Sequence, residues 1–122
     1  MIVVVLLTVL LAMWQAREDA HAIAQGEPID HVSAWVMRAS VVVMVSALVA
    51  TWWMALPMAG LFNIVFRWDL NTRRGLPWDY VSASNYYDRA FIAMAGHDAG
   101  RVAYLVEAVV LLVGVVARVI YT

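Results

Sequence analysis

The sequence contains no cysteine, and this absence excludes disulfides, thiolate chemistry and cysteine-ligated metals or clusters. Lysine is absent as well, so all eight basic residues are arginines. The net charge of −1 at pH 7 lacks the basic excess that is typical of nucleic-acid-binding domains. Nucleic acid is therefore not an expected partner.

Charge of either sign is scarce. Charged residues make up 14% of the 122 positions, whereas hydrophobic residues make up 65%. A soluble domain is about half apolar and about a quarter charged, and a domain this small buries a smaller share of its surface than a large one. Because a soluble fold of this size could not hide so much apolar surface, the composition predicts a membrane protein, for which the bilayer acts as solvent.

Motifs that would carry out chemistry are missing too. The sequence shows no glycine-rich phosphate loop, no carboxylate pair expected in a pocket and no supporting spacing for a Ser–His–Asp arrangement, so we expect a protein that is not an enzyme. None of the three histidines, His21, His31 and His97, shares a helix with another at the four-residue spacing of an H-E-x-x-H site. We expect no cofactor and no metal.

The first apolar segment, residues 1–14, carries no charge. It lacks the basic residue and the small-residue cleavage site of a signal peptide, so we interpret it as a retained membrane anchor. A full span needs roughly 20 residues, and the helix is expected to continue through residue 24. Trp14 marks the expected membrane surface, where Trp and Tyr side chains concentrate.

The second segment, residues 31–66, is longer than a bilayer core of about 30 Å requires. One interpretation is a single tilted helix that is kinked at Pro57, where a backbone hydrogen bond is lost. The other is a span that ends near Trp52 and Trp53, followed by a short interfacial or re-entrant piece over residues 58–66. We favour the kinked helix, because no strong turn dipeptide separates the two halves.

Residues 67–99 form an interfacial region rich in Trp, Tyr and Arg, and residues 100–122 form a last membrane helix. Within the interfacial region, residues 85–95 are expected to form a short helix lying flat at the membrane surface. Its apolar face would hold Tyr87, Ala90, Phe91 and Met94, and Gly96 is a fitting stop. The sequence thus predicts one all-α integral membrane domain, residues 1–122, with two to three transmembrane helices plus a short interfacial helix.

The interfacial region also supplies a candidate surface for protein partners or lipid headgroups, because Trp and Tyr favour that depth and Arg attracts anionic lipids. Its residues are Arg67, Trp68, Arg73, Arg74, Trp78, Tyr80 and Arg89. The positive-inside rule places this region in the cytoplasm. With three spans, the N-terminus would then be inside and the C-terminus outside.

Two charged residues fall inside apolar segments, where such groups usually face protein or water. Glu107 shares a helix face with small residues, which allow close helix contact. Its depth in the membrane is similar to that of Asn63, about one turn from Arg67, so we predict a contact with Asn63 or Arg67 between the last two helices. The functional alternative for Glu107 is a proton or cation site. Arg38 is expected to extend outward to the headgroups, or else to pair with a partner subunit.

Several short patterns follow one another along the chain. They are a His and an Arg seven residues apart, a Phe–Asp–Asn pattern, an Arg–Gly turn, a Trp-x-Tyr and an Asp–Arg–aromatic step. The residues that carry them are His31, Arg38, Phe66, Asp69, Asn71, Arg74, Gly75, Trp78, Asp79, Tyr80, Asp88, Arg89 and Phe91.

Over most of its length the chain therefore resembles a group of small uncharacterised membrane proteins encoded by bacteriophages and prophages. It departs from their pattern where Arg67 and Trp68 separate Phe66 from Asp69, and at residues 82–84, where Ser-Ala-Ser replaces a Gly-Asn/Ser-Thr step. The resemblance implies a phage-encoded membrane protein and implies no activity.

These observations favour a non-enzymatic structural or accessory membrane subunit, phage-encoded and part of a virion or another membrane assembly. Its partners would be the bilayer, other proteins or further copies of itself, in a bacterial inner membrane or the internal membrane of a virion. One alternative is a holin-like pore-forming or lysis protein. The other is a small accessory subunit of an energy-transducing membrane complex.

Overall fold

The computed structural model describes residues 2–48, 54–82 and 86–121, except for the side chains of Ser33, Val45, Ser46 and Leu48. Its α-helices are α1 (Ile2–Ala24), α2 (His31–Leu48), α3 (Ala55–Arg73), α4 (Tyr86–Ala95) and α5 (Ala99–Ile120). The described residues contain no strand. The predicted all-α class is therefore confirmed.

The link between α1 and α2 is fixed by local chemistry. Gly26 has a φ of 72°, which a residue with a side chain rarely adopts, and the Glu27 amide donates to the Ala22 carbonyl at 2.9 Å to close α1. Asp30 then begins α2, because its Oδ1 accepts a hydrogen bond from the Val32 amide at 3.1 Å.

The kinked helix predicted over residues 31–66 is wrong. The Arg38 guanidinium lies 4.1 Å from the centre of the Phe66 ring, whereas 28 residues of one helix would separate them by about 42 Å. Helices α2 and α3 are therefore antiparallel. Pro57 lies in the first turn of α3, where its missing amide costs no helical hydrogen bond, so it causes no kink.

The alternative boundaries also need correction. Helix α3 begins at Ala55 and continues through Arg73, so it is longer than the predicted piece over residues 58–66, and the interfacial loop begins at Arg74 instead of Arg67. Trp52 and Trp53, the expected end of a span, lie outside the described residues.

Helix α3 is the centre of the bundle, with α1 on one side and α5 on the other. At one end, which we call the apolar end, Val4 of α1 packs against Met54 and Met58, and Gly114 of α5 lies against Pro57. The opposite end, which we call the charged end, joins Arg67 of α3 to α4 and α5. Helix α1 is thus parallel to α3, and α5 is antiparallel to it.

Close contact between α3 and α5 depends on two glycines. A Cβ atom at Gly60 would lie 2.7 Å from the Glu107 carbonyl oxygen, and one at Gly114 would lie 2.5 Å from the Pro57 ring. Both distances are shorter than van der Waals contact. The face of α5 that the sequence assigned to helix contact is indeed the buried one, since Ala103, Glu107 and Gly114 are all buried.

Helix α4 folds back along α5. Gly96 has a φ of 55° and starts a short 3₁₀ turn, Gly96–Asp98, so that Phe91 packs on Ala99 and Ala103. The predicted apolar face of α4 is only partly buried, because Met94 is 71% exposed. Residues 83–85, which include the proposed start of this helix, lie outside the described part of the chain.

This topology overturns the predicted three-span orientation. The first connection and the loop after α3 both lie at the charged end, where Ile29, His31, Arg74 and Tyr80 line one cavity. The N-terminal residues of α1 and the last turn of α5 lie together at the apolar end. The predicted placement of the two connections on opposite sides is wrong because α2 and α3 form a pair of antiparallel helices instead of one long helix.

Among the described residues, one helical run, Tyr86–Ile120, is long and apolar enough to cross a membrane, and its most apolar 18-residue stretch has a mean hydropathy of 2.3. Helix α5, with 22 residues, supplies its apolar part. The predicted two to three transmembrane helices are therefore not confirmed, and one candidate span is shown.

Candidate functional site

Arg67 is the centre of a buried ion cluster that joins α3, α4 and α5. Its Nη1 donates to Asp88 Oδ1 at 2.9 Å, and its Nη2 donates to Glu107 Oε1 at 3.1 Å. The side chains of Arg67, Asp88 and Glu107 are 9%, 10% and 1% exposed. One guanidinium thus faces two carboxylates, and with both ionised the cluster has a net charge of −1.

Neighbouring polar groups complete part of this cluster. The Tyr87 hydroxyl donates to Glu107 Oε1 at 3.4 Å, and Asp88 Oδ2 accepts a hydrogen bond from the Ser82 amide at 3.0 Å. Glu107 Oε2 and Arg67 Nε are buried without a hydrogen-bond partner among the described residues. The cluster therefore retains one donor and one acceptor atom that the described residues do not satisfy.

The contact predicted between Glu107 and Arg67 is present, whereas Asn63, the other predicted partner, lines a cavity beside it. Arg67 was also assigned to the exposed surface, and this part of the prediction is wrong because the residue is only 8% exposed. Asp88 is not among the residues of the predicted apolar face of α4, yet it is buried because Arg67 and the Ser82 amide bind both its oxygens.

A second ion pair connects α1 and α2. Arg38 Nη2 donates to Asp19 Oδ2 at 2.9 Å, and the same guanidinium lies over the Phe66 and Phe62 rings. Burial raises the pKa of the Asp19 carboxyl above its ordinary value, and the positive charge of Arg38 opposes this effect. Arg38 thus has its partner within the chain, and the predicted extension to the headgroups is wrong.

The loop after α3 is held against the bundle. Asn71 Nδ2 donates to the Trp78 and Tyr80 carbonyls at 3.1 and 3.0 Å, and the Tyr104 hydroxyl donates to the Trp78 carbonyl at 2.8 Å. At Gly100 the Asp79 carbonyl approaches so closely that a Cβ atom would overlap it. These contacts fix the position of the loop side chains, and sequence reasoning did not identify Asn71 as the residue that anchors them.

A cavity of about 410 Å³ lies between the loop and the charged ends of α1, α2 and α3. Its polar walls include both ion pairs and a third arginine, from residues Asp19, Arg38, Arg67, Arg74, Asn63 and Asp88. Its apolar walls come from Ile23, Ile29, Trp35, Phe66 and Leu70.

The remaining residues of the predicted partner or headgroup surface are accessible. Trp68, Trp78 and Tyr80 are 53%, 51% and 38% exposed. Their arginine neighbours differ in what they contact. Arg73 forms an ion pair with Asp69 at 2.8 Å, Arg89 lies over the Tyr86 ring at 4.3 Å, and Arg74 lies over the Tyr80 ring at 5.7 Å.

No protein-family model matches the chain, and comparison with curated proteins and with solved structures found no similar protein. The described residues contain no group of three or more acidic, His or Cys side chains that could hold a metal ion. The features of the molecule that bear on its function are therefore the ion cluster, the cavity and the distribution of apolar surface.

Proposed function

We propose that the protein is a non-enzymatic structural or accessory subunit whose bundle lies in a membrane. The single observation that supports this most is an inverted distribution of polarity. Apolar side chains cover the outside of the bundle, whereas Arg67, Asp88 and Glu107 are inside it. A soluble domain has the opposite arrangement.

The outer apolar surface is largest on α5. Side chains at nine of its positions are 40% to 75% exposed, namely Leu105, Val106, Val109, Leu112, Val113, Val115, Val116, Val119 and Ile120. They extend over 16 residues, or about 24 Å. Only 17% of the most apolar part of the Tyr86–Ile120 run is buried, whereas the core helix of a soluble protein would be mostly buried. Lipid is the environment that suits such a surface.

Helices α1 and α2 extend this surface around the bundle. On α1, Ile2, Leu6 and Leu10 are 75%, 55% and 62% exposed, and on α2, Val36 and Met44 are 62% and 57% exposed. Contiguous exposed apolar patches above a few hundred Å² are rare on soluble monomers and mark interaction or membrane surfaces. We therefore place α5 across the bilayer, with the apolar parts of α1, α2 and α3 beside it.

The same arrangement gives an orientation. Seven of the eight arginines belong to the charged end, and only Arg118 lies near the apolar end. By the positive-inside rule the charged end faces the cytoplasm, and both chain ends then face the opposite side. This orientation rests on all the connections at the charged end, not only on the loop after α3.

The surface around Trp68 and Trp78 gives the subunit a place to bind a partner. Aromatic residues and arginine are enriched at protein interfaces, and the loop is held rigidly by Asn71 and Tyr104. The resemblance to phage-encoded membrane proteins supports a virion or phage membrane assembly as the setting. Replacing Trp78 and Arg74 together should release the protein from its complex while membrane insertion is unchanged. Unchanged assembly would refute docking through this loop.

Membrane insertion can be tested sharply because the chain has no cysteine. Single cysteines at Leu112 and Arg101, both on α5, would have nearly equal exposure, since the native side chains are 61% and 68% exposed. A water-soluble maleimide should label R101C in intact membranes and leave L112C unlabelled until the membrane is dissolved and the protein denatured.

The expected difference arises because lipid, and not protein, would cover residue 112. If both variants are labelled at similar rates in the membrane fraction, the outer surface of α5 faces water and the proposal is wrong. Release of the wild-type protein from membranes by alkaline carbonate, without detergent, would contradict the proposal independently.

A further inference from the structure

The charged groups around the cavity at the charged end are unevenly paired. Its walls hold the guanidinium groups of Arg38, Arg67 and Arg74 and the carboxylates of Asp19 and Asp88. Asp19 accepts from Arg38, and Asp88 shares Arg67 with Glu107, which lies behind the wall. With Glu107 included, three carboxylates balance the three guanidinium groups. Two of the carboxylates contact Arg67 and the third contacts Arg38, which leaves Arg74 without one.

Arg74 differs from every other arginine of the wall in its contacts. It forms no ion pair with a described residue, and its guanidinium lies over the Tyr80 ring at 5.7 Å. A guanidinium without an ion pair can donate two hydrogen bonds to an anion with several acceptor oxygens, such as a phosphate.

The other walls of the cavity are apolar. Ile23, Ile29, Trp35 and Leu70 line it, and Trp35 is itself 41% exposed. A free inorganic anion gains nothing from such walls, whereas the glycerol and first acyl carbons of a lipid gain from burial. The cavity lies between the apolar outer surface and the arginine-rich loop, at the level where headgroups would be.

We propose that this cavity binds the phosphate group of an anionic phospholipid headgroup, with Arg74 as the residue that pairs with its charge. This inference rests on the proposed membrane location for the source of the phosphate, although the phosphate site itself does not depend on it. Neighbouring Arg73 provides a matched control, because it carries the same charge but binds Asp69 and does not line the cavity.

The test is native mass spectrometry of the full chain in a neutral detergent, with phosphatidylglycerol as the probe. Removing one charged hydrogen-bond partner should weaken binding by about tenfold or more, so R74Q should lose phosphatidylglycerol while R73Q stays close to wild type. N63D provides an independent second variant, because a carboxylate placed in the cavity wall should also expel the lipid. Far-UV circular dichroism checks that each variant is folded.

Competition with inorganic phosphate distinguishes a lipid headgroup from free phosphate as the source of the bound group. Binding of the intact lipid, with no displacement by millimolar inorganic phosphate, supports the headgroup site. Saturable binding of inorganic phosphate that R74Q abolishes, without retention of lipid, would overturn the lipid as the source. Equal losses in R73Q and R74Q would overturn the cavity, since surface charge alone would explain them. All these arms are measured in detergent, so a failure here is separate from a failure of the cysteine-labelling test in membranes.

Discussion

Removing the charge of Arg67 should be far more damaging than removing the charge of Glu107. Arg67 neutralises part of a cluster with two carboxylates, through contacts of 2.9 and 3.1 Å. An R67M variant would leave Asp88 and Glu107 buried together without a cation. Breaking a buried ion pair by removing one partner costs about 3–5 kcal/mol, and here two carboxylates lose their partner at once.

An E107Q variant has the opposite effect on the charge of the cluster. It leaves Arg67 and Asp88 as a neutral pair, and the carbonyl oxygen of the substituted amide side chain can still accept from Arg67 Nη2. We expect E107Q to cost no more than about 1 kcal/mol, the net value of an ordinary hydrogen bond. The triple variant R67M/D88N/E107Q removes all three charges and should recover most of the stability that R67M loses, because uncharged groups of similar shape can replace a buried ion pair.

The assay is equilibrium unfolding in mixed detergent micelles, followed by far-UV circular dichroism, with E18Q as a control for an exposed carboxylate on α1. Equal small losses of stability for R67M and E107Q would show that the ion cluster does not hold α3, α4 and α5 together. So would a triple variant that is no more stable than R67M, because the loss would then come from packing and not from unpaired charge.

Two further predictions use the same unfolding assay. In G114A the new methyl group would lie 2.5 Å from the rigid Pro57 ring, so this variant should lower the free energy of unfolding by about 1–3 kcal/mol. An increase in stability, which the higher helix propensity of alanine would give by itself, would contradict this contact. V116A, on the exposed face of α5, is the control. R38A should lower the free energy of unfolding by about 1–3 kcal/mol, which is less than for R67M because the Arg38 and Asp19 side chains retain 13% and 14% exposure. Adding D19N should restore part of this stability. R17A, at an exposed position, is the control and should have little effect.

Local signals predicted the parts of the fold that depend on neighbouring residues. The helix over residues 86–95, the stop at Gly96 and the contact face of α5 all follow from helical spacing and from glycine. The Glu107–Arg67 contact was predictable because a buried carboxylate needs a partner at its own depth, and only Asn63 and Arg67 were available there. The sequence did not indicate that Asp88 would share the same guanidinium.

The reversal between α2 and α3 could not be predicted in this way. Residues 39–66 are uncharged, and in an apolar stretch hydropathy alone does not distinguish one long helix from two antiparallel ones. Pro57, where a kink was predicted, and Gly60 lie in the first turns of α3, where they fit against α5. Their role is close packing, and the segment shows no comparable signal at the reversal itself.

The charges did contain a signal for the partner of Arg38. Asp19 lies five residues before the end of α1, and Arg38 lies seven residues after the start of α2. At 1.5 Å per residue these positions differ in depth by only about 3 Å if the two helices are antiparallel. A buried arginine in an apolar helix requires a carboxylate at its own depth, and Asp19 is such a carboxylate. Requiring Arg38 to have this partner would have placed its side chain inside the bundle, although the pair alone does not indicate the reversal between α2 and α3.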